Sequence, residues 1–190
     1  MQRTAEALRA RGHDVHVAAG AESAKATILG LIPEGARVGQ GASRTLDDLG
    51  VTSEIETSGR FDALRPRWRA MDRATQAAEI RQVMASADVW LNSANAVTED
   101  GVLVFASATG TQIAQIASGP PRVILAIGAQ KIVTDLAAAF RRIESHVLRL
   151  EDARTREAYG MGTALRKQLI VHGDVPGRIS VVLIPEAIGF

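Results

Sequence analysis

The sequence contains no cysteine. That excludes a disulfide, a thiol nucleophile and a cysteine-ligated iron–sulfur cluster within this chain. Histidine is scarce and scattered, at positions 13, 16, 146 and 172. His13 precedes the short strand candidate DVHV and His16 lies in it; at that spacing they point to opposite faces, so they make poor co-ligands and no metal is expected. Charge of one sign is also lacking. The formal net charge is +1, which gives no electrostatic reason to expect a nucleic-acid or membrane partner. Long apolar runs are missing too: Val123–Ile127 and Val181–Ile184 fall far below the ~20 residues needed to span a bilayer. The opening residues MQRTAEALRARG show no apolar signal-type core, so a cytoplasmic protein is the expectation.

What is present fits one globular α/β domain over residues 1–190. Apolar residues make up 46% and charged residues 23%, an ordinary balance for a packed core with a solvated surface. Strand and helix patterns alternate for most of the length, which argues for a mostly parallel sheet covered on both faces. Strands are expected at Val15–Ala18, Arg37–Gly39, Val89–Leu91 and Arg122–Ile127, the last three side by side or nearly so. Asn92–Phe105 reads as two strands joined by a turn at Asp100–Gly101. Lys167–Val171 and Ile179–Ile184 close the chain as a possible pair. Helices are expected at Thr4–Arg11, Ala21–Leu31, Thr45–Leu49, Gly110–Ala117 and Glu151–Tyr159. A further helix, capped by Thr134, carries the apolar face Leu136, Phe140, Ile143 and Val147. Residues 66–86 read as one long helical region with Trp68, Met71, Ala74, Ala78 and Val83 inward. Val51–Ile55 reads as a short strand or loop.

In an open parallel sheet, ligands bind beyond the carboxyl ends of the strands. Three such ends are followed by small or polar residues: Gly39-Gln40-Gly41-Ala42-Ser43, Asn92-Ser93-Ala94-Asn95 and Gly128-Ala129-Gln130-Lys131. The first is not a Walker A loop, because no Lys-Ser/Thr pair follows, and Arg44 stands where a dinucleotide fingerprint has its third glycine. It can be a tight turn with Ser43 as a helix cap, or a cradle of backbone N–H groups for an anion. Asn95 and Lys131 are candidates at the other two ends, Lys131 as the positive charge. Glu99, in Thr98-Glu99-Asp100-Gly101, is either part of a hairpin turn or a nucleophile or general base. Arg65, Arg67, Arg69 and Arg73 around Trp68 alternate with acidic residues and read as a solvated helix face.

Taken in order, VGQGASRTL, NAVTEDGVLV, ATGTQIAQIASGPPRVILAIGAQKIV and AAAFRRI resemble the LUD domain, the lactate-utilization family of LutC/YkgG type, over roughly residues 10–145. The resemblance implies the three-layer α/β fold of the NagB/RpiA/CoA-transferase-like superfamily. Some relatives there bind phosphate on a G-x-G-x-S/T loop, which maps onto Gly39, Gly41 and Ser43, with Thr45 nearby. Some CoA transferases use a glutamate in an E-x-G turn as nucleophile, which maps onto Glu99. Several relatives carry C-terminal cysteines, whereas residues 151–184 here have none, so iron–sulfur chemistry would belong to partner proteins. The implied role is support of L-lactate oxidation to pyruvate within a multi-protein system, with a small anionic ligand in the crevice. The rival readings are a stand-alone sugar-phosphate or acyl-CoA enzyme and a non-catalytic carboxylate-binding module. No cofactor and no oligomeric state follow from the sequence.

Overall fold

The computed structural model describes residues 1–190. Six strands form the main sheet: β1 (Asp14–Val17), β2 (Arg37–Gln40), β3 (Asp62–Ala63), β4 (Val89–Asn92), β7 (Arg122–Gly128) and β10 (Ile179–Ile184). Their order is β1-β10-β7-β4-β2-β3, and every pairing is parallel. Strands Arg37–Gln40, Val89–Asn92 and Arg122–Gly128 are therefore neighbours, as the alternation of elements predicts.

Central strands in such a sheet are covered on both faces, and their sequences show it. Apart from Arg122 and Ser180, RVILAIG and ISVVLI are apolar, and they are buried throughout except at Arg122. Successive side chains point to opposite faces. Val123, Leu125 and Ile127 join one core with Leu8, Trp90 and Ile116, while Ile124 and Ala126 join the other with Ile28, Leu46 and Ile55. Each large side chain fully withdrawn from water contributes about 1.5–3 kcal/mol before entropy is counted. Helices α2 (Ala21–Gly30), α3 (Arg44–Asp48) and α4 (Val51–Thr57) supply one outer layer. Helices α1 (Gln2–Ala10), α5 (Leu64–Arg69), α6 (Ala77–Ala85) and α7 (Thr111–Ser118) supply the other.

A second sheet holds β5 (Ala96–Thr98), β6 (Leu103–Ser107), β8 (Ile132–Val133) and β9 (Lys167–Val171) in the order β8-β5-β6-β9. The β5–β6 hairpin turns at Asp100–Gly101, where Gly101 adopts φ +86°. One face of this sheet joins the main core through Val97, Leu103 and Phe105. The other is covered by α8 (Leu136–Arg142) and the π-helical turn Ile143–Val147 that continues it. Helix α9 (Leu148–Tyr159) runs on from that turn and buries no residue of its own.

Four local expectations are corrected. Val51–Thr57 is a helix entered through Gly50 at φ +67°, with Val51 and Ile55 buried one turn apart. The 66–86 region is two short helices separated by an Asp72-centred turn, in which Asp72 accepts from the Ala74 N–H at 2.9 Å. Ala74 and Ala78 are consequently exposed, and Met84 is the buried residue of α6. Helix α8 is capped by Asp135, whose Oδ1 accepts from the Ala138 N–H at 2.7 Å, and not by Thr134. The closing strands do not pair: β9 lies antiparallel to β6 in the small sheet, and β10 lies between β1 and β7 in the large one.

Candidate ligand-binding site

Strands β2 and β4 end beside each other at Gln40 and Asn92. Beyond these ends, between the two sheets and under α9, lies a cavity of about 360 Å³. Its floor includes Trp90, stacked on Trp68 with ring centroids 5.9 Å apart and planes at 15°. Gly41, Ala42, Ser43, Thr45, Asn95 and Lys131 all line it.

Lys131 ends a single 3₁₀ turn, Ala129–Lys131, directly after β7. The residue is 3% exposed. Its Nζ donates to Thr45 Oγ1 at 2.7 Å and to Ser93 Oγ at 2.9 Å. No carboxylate pairs with it. Burial lowers its pKa to about 7, Arg142 on α8 pushes in the same direction, and Asp48 on α3 opposes them. Arg142 is held in place by donating to the Asn95 carbonyl at 2.8 Å and the Gln130 carbonyl at 3.3 Å.

Around this amine the cavity wall has unused hydrogen-bonding capacity. Gln40 is 1% exposed, and neither atom of its amide has a partner. Asn92 is 3% exposed; its Oδ1 accepts from the Ser93 N–H at 2.8 Å, and its Nδ2 is unpaired. Buried polar groups are ordinarily satisfied, and an unsatisfied one costs about 1–3 kcal/mol. Both residues line the same cavity as the buried Lys131 amine.

Other predicted positions separate into distinct roles. Gly39 lies within β2 and does not line the cavity. A Cβ there would stand 2.6 Å from two ring carbons of Trp90, so this glycine makes room for the tryptophan. Gly41 does border the cavity, where a Cβ would meet Gln112 Oε1 at 3.0 Å. Ser43 caps α3, its Oγ accepting from the Leu46 N–H at 3.4 Å. That helix has only five residues, so its dipole is a small influence beside Lys131. Asn95 has its side-chain carbonyl occupied by the Ala106 N–H at 2.7 Å. Glu99 is not brought to the cavity. It follows β5 at the end away from Asn95 and pairs with Arg3 of α1 at 3.2 Å.

Of the arginines read as a solvated face, Arg67, Arg69 and Arg73 are exposed, and three of the four also border the cavity. Arg65, Arg69 and Arg73 line the cavity, while Arg67 pairs outside it with Asp62 at 3.4 Å. Arg65 and Arg69 belong to α5, whereas Arg73 lies in the turn after it, so a single helical spacing did not signal their meeting. Arg44, Arg154 and Lys131 bring the basic lining to six residues, against one acidic residue, Glu151. Arg154 pairs with Glu151 at 2.6 and 2.7 Å, Arg44 with Asp48 at 2.7 Å and Arg65 with Glu56 at 3.6 Å, which leaves Arg69, Arg73 and Lys131 as the basic lining residues without a carboxylate partner. No group of three or more His, Asp or Glu side chains is assembled as metal ligands, and no helix is long and apolar enough to cross a membrane.

A search among curated proteins finds no match. Among solved structures, the fold is similar to that of a DUF162 family protein from Deinococcus radiodurans, with a TM-score of 0.57 at 14% identity over 96% of this chain and 94% of that one. The LUD domain model matches residues 1–184, extending the family pattern beyond the motifs to α1 at one end and to β10 at the other, so the chain belongs to the LUD domain family.

Proposed function

We propose that this protein holds a small anion of the lactate and pyruvate class in the cavity around Lys131, as one component of a lactate-utilization system. The observation that carries this reading is a buried amine with no carboxylate partner in the lining of a cavity that Gln40 and Asn92, each with an unpaired amide N–H₂, also line. A carboxylate would supply a counter-charge for Nζ and acceptor oxygens for the amide N–H₂ groups of Gln40 and Asn92. With no thiolate in the chain, the iron–sulfur centres that oxidise lactate to pyruvate belong to partner proteins, working with it in the cytoplasm.

One observation favours a second reading. A cavity of about 360 Å³ lies in the size range of pockets that hold larger organic ligands, more than a three-carbon acid fills. The row of Arg65, Arg69 and Arg73 at its edge suits phosphate groups. A sugar phosphate or an acyl-CoA is the alternative occupant.

Calorimetric titration with L-lactate, pyruvate, inorganic phosphate and coenzyme A separates these readings. Saturable binding of either carboxylate, lost in Gly41→Val while the fold is kept, supports the first. Binding of the phosphate compounds alone supports the second. No binding of any of the four overturns both.

A further inference from the structure

The cavity contains a second arrangement that anion binding does not require. Ser93 follows the end of β4 and is only partly buried, whereas Thr45 and Lys131 on either side of it are almost wholly buried. Its Oγ lies 2.9 Å from Lys131 Nζ, and Thr45 Oγ1 lies 2.7 Å from the same nitrogen. Ser93 and Lys131 both line the cavity, and Ser93 is the more exposed of the two. The adjacent residue, Asn92, offers an unpaired buried N–H₂ from the same strand end. A hydroxyl at the surface of a cavity, a buried amine hydrogen-bonded to it and a free donor beside it are the parts of a serine–lysine acyl-transfer site.

We propose that Ser93 is a nucleophile activated by Lys131, and that the cavity takes activated acyl compounds, esters or thioesters, that also carry a carboxylate or phosphate. This goes beyond the binding reading and does not need lactate to be the ligand. In the structure Nζ donates to Ser93 Oγ, and the Ser93 hydroxyl donates to the Ala94 carbonyl at 3.2 Å. As a neutral amine, Lys131 keeps its N–H bond to Thr45 Oγ1, and the Ser93 hydroxyl turns from that carbonyl to the Nζ lone pair. Ser93 Oγ then attacks the acyl carbonyl carbon, and its proton passes to Nζ. The developing oxyanion is met by Asn92 Nδ2. The bond to the leaving alcohol or thiol breaks, and the leaving group takes the proton from Nζ. Water repeats the sequence on the acyl–serine ester, releasing the acid and regenerating Ser93. Arg142 and Asp48 are the charged groups acting on Nζ, and Arg142, joined by burial, keeps the neutral form available.

The test is reaction of the full chain with an alkyl fluorophosphonate, which phosphonylates activated serine hydroxyls, read by intact mass and peptide mapping at pH 6 and pH 8. The expected result is a single adduct on Ser93, forming faster at pH 8. It should be absent in Ser93→Ala and at least tenfold slower in Lys131→Met. Lys131→Arg, which keeps the charge but has no lone pair to accept a proton, should be as slow as Lys131→Met; circular dichroism establishes that the variants are folded. No adduct on Ser93 in the unaltered protein, or an undiminished rate in both Lys131 variants, overturns the proposal. Titration of the same preparations with pyruvate keeps the two readings apart. Binding without labelling sinks acyl transfer and leaves the anion site standing, whereas labelling without binding does the reverse.

Discussion

The two ends of β5 make opposite use of polar side chains. At the far end, the Thr98–Gly101 turn is closed on itself. Thr98 is fully buried, its Oγ1 accepts from the Val102 N–H at 2.8 Å, and it donates to Asp100. Asp100 also receives Arg11 at 2.9 Å, and Glu99 receives Arg3. At the near end, beyond Asn95, Lys131 has hydroxyls but no counter-charge, and Gln40 and Asn92 are left with unpaired atoms. Both ends contain charged and hydroxyl residues in turns that look alike in sequence. What separates the two ends is whether the protein satisfies its own polar groups.

Variants can break this contrast, and the largest expected effect lies at the closed end. Thr98→Val leaves the Val102 N–H buried without an acceptor, so it should cost about 1–3 kcal/mol of stability while pyruvate binding is unchanged. Urea denaturation beside calorimetric titration checks both halves, and lost affinity in a folded variant would erase the distinction. At the open end, Lys131→Ala should weaken anion binding about tenfold or more, equivalent to ~1.4 kcal/mol, with no loss of melting temperature, since a desolvated amine leaves the core.

The third expectation concerns pH. Because Lys131 titrates near 7, its charged form is lost as pH rises, so anion affinity should fall by about tenfold between pH 6 and pH 8. Stability runs the other way. The folded pKa lies below the unfolded 10.5, so from about pH 7 to 10.5 the unfolded chain binds more protons, and this residue makes stability rise with pH across that window. An affinity independent of pH, measured by titration in matched buffers, would remove Lys131 from the binding role. The smallest effect belongs to Glu99→Gln, which breaks one exposed ion pair. It should change stability by less than about 1 kcal/mol and binding not at all. A clear loss of affinity there would return Glu99 to the site.

Much of the architecture was legible in the order of residues, because burial imposes a pattern on a strand or helix. RVILAIG and ISVVLI can be satisfied only inside a covered sheet, and Asp100-Gly101 between apolar runs can hardly be other than a turn. Lys131 was legible as a candidate from its place after a buried strand, and the order of four motifs was enough to point to the family. Local pattern failed where two elements compete for the same residues. The arginines at 65, 69 and 73 have the periodicity of a solvated helix, and only the break after Arg69 and the packing of Trp68 on Trp90 bring them to a cavity.

Sequence by itself therefore determined the layers, the parallel strands and the family, since these follow from apolar periodicity and motif order along one chain. Tertiary structure alone decided which polar residues meet. Gly39 and Gly41 are two positions apart, yet one accommodates a tryptophan and the other borders the cavity. Thr45, Ser93 and Lys131 come from three separate segments and converge because β2, β4 and β7 lie side by side. Glu99 is carried off by the length of β5. Hydrogen bonding and desolvation act over a few ångströms of space, and distance along the chain does not encode them.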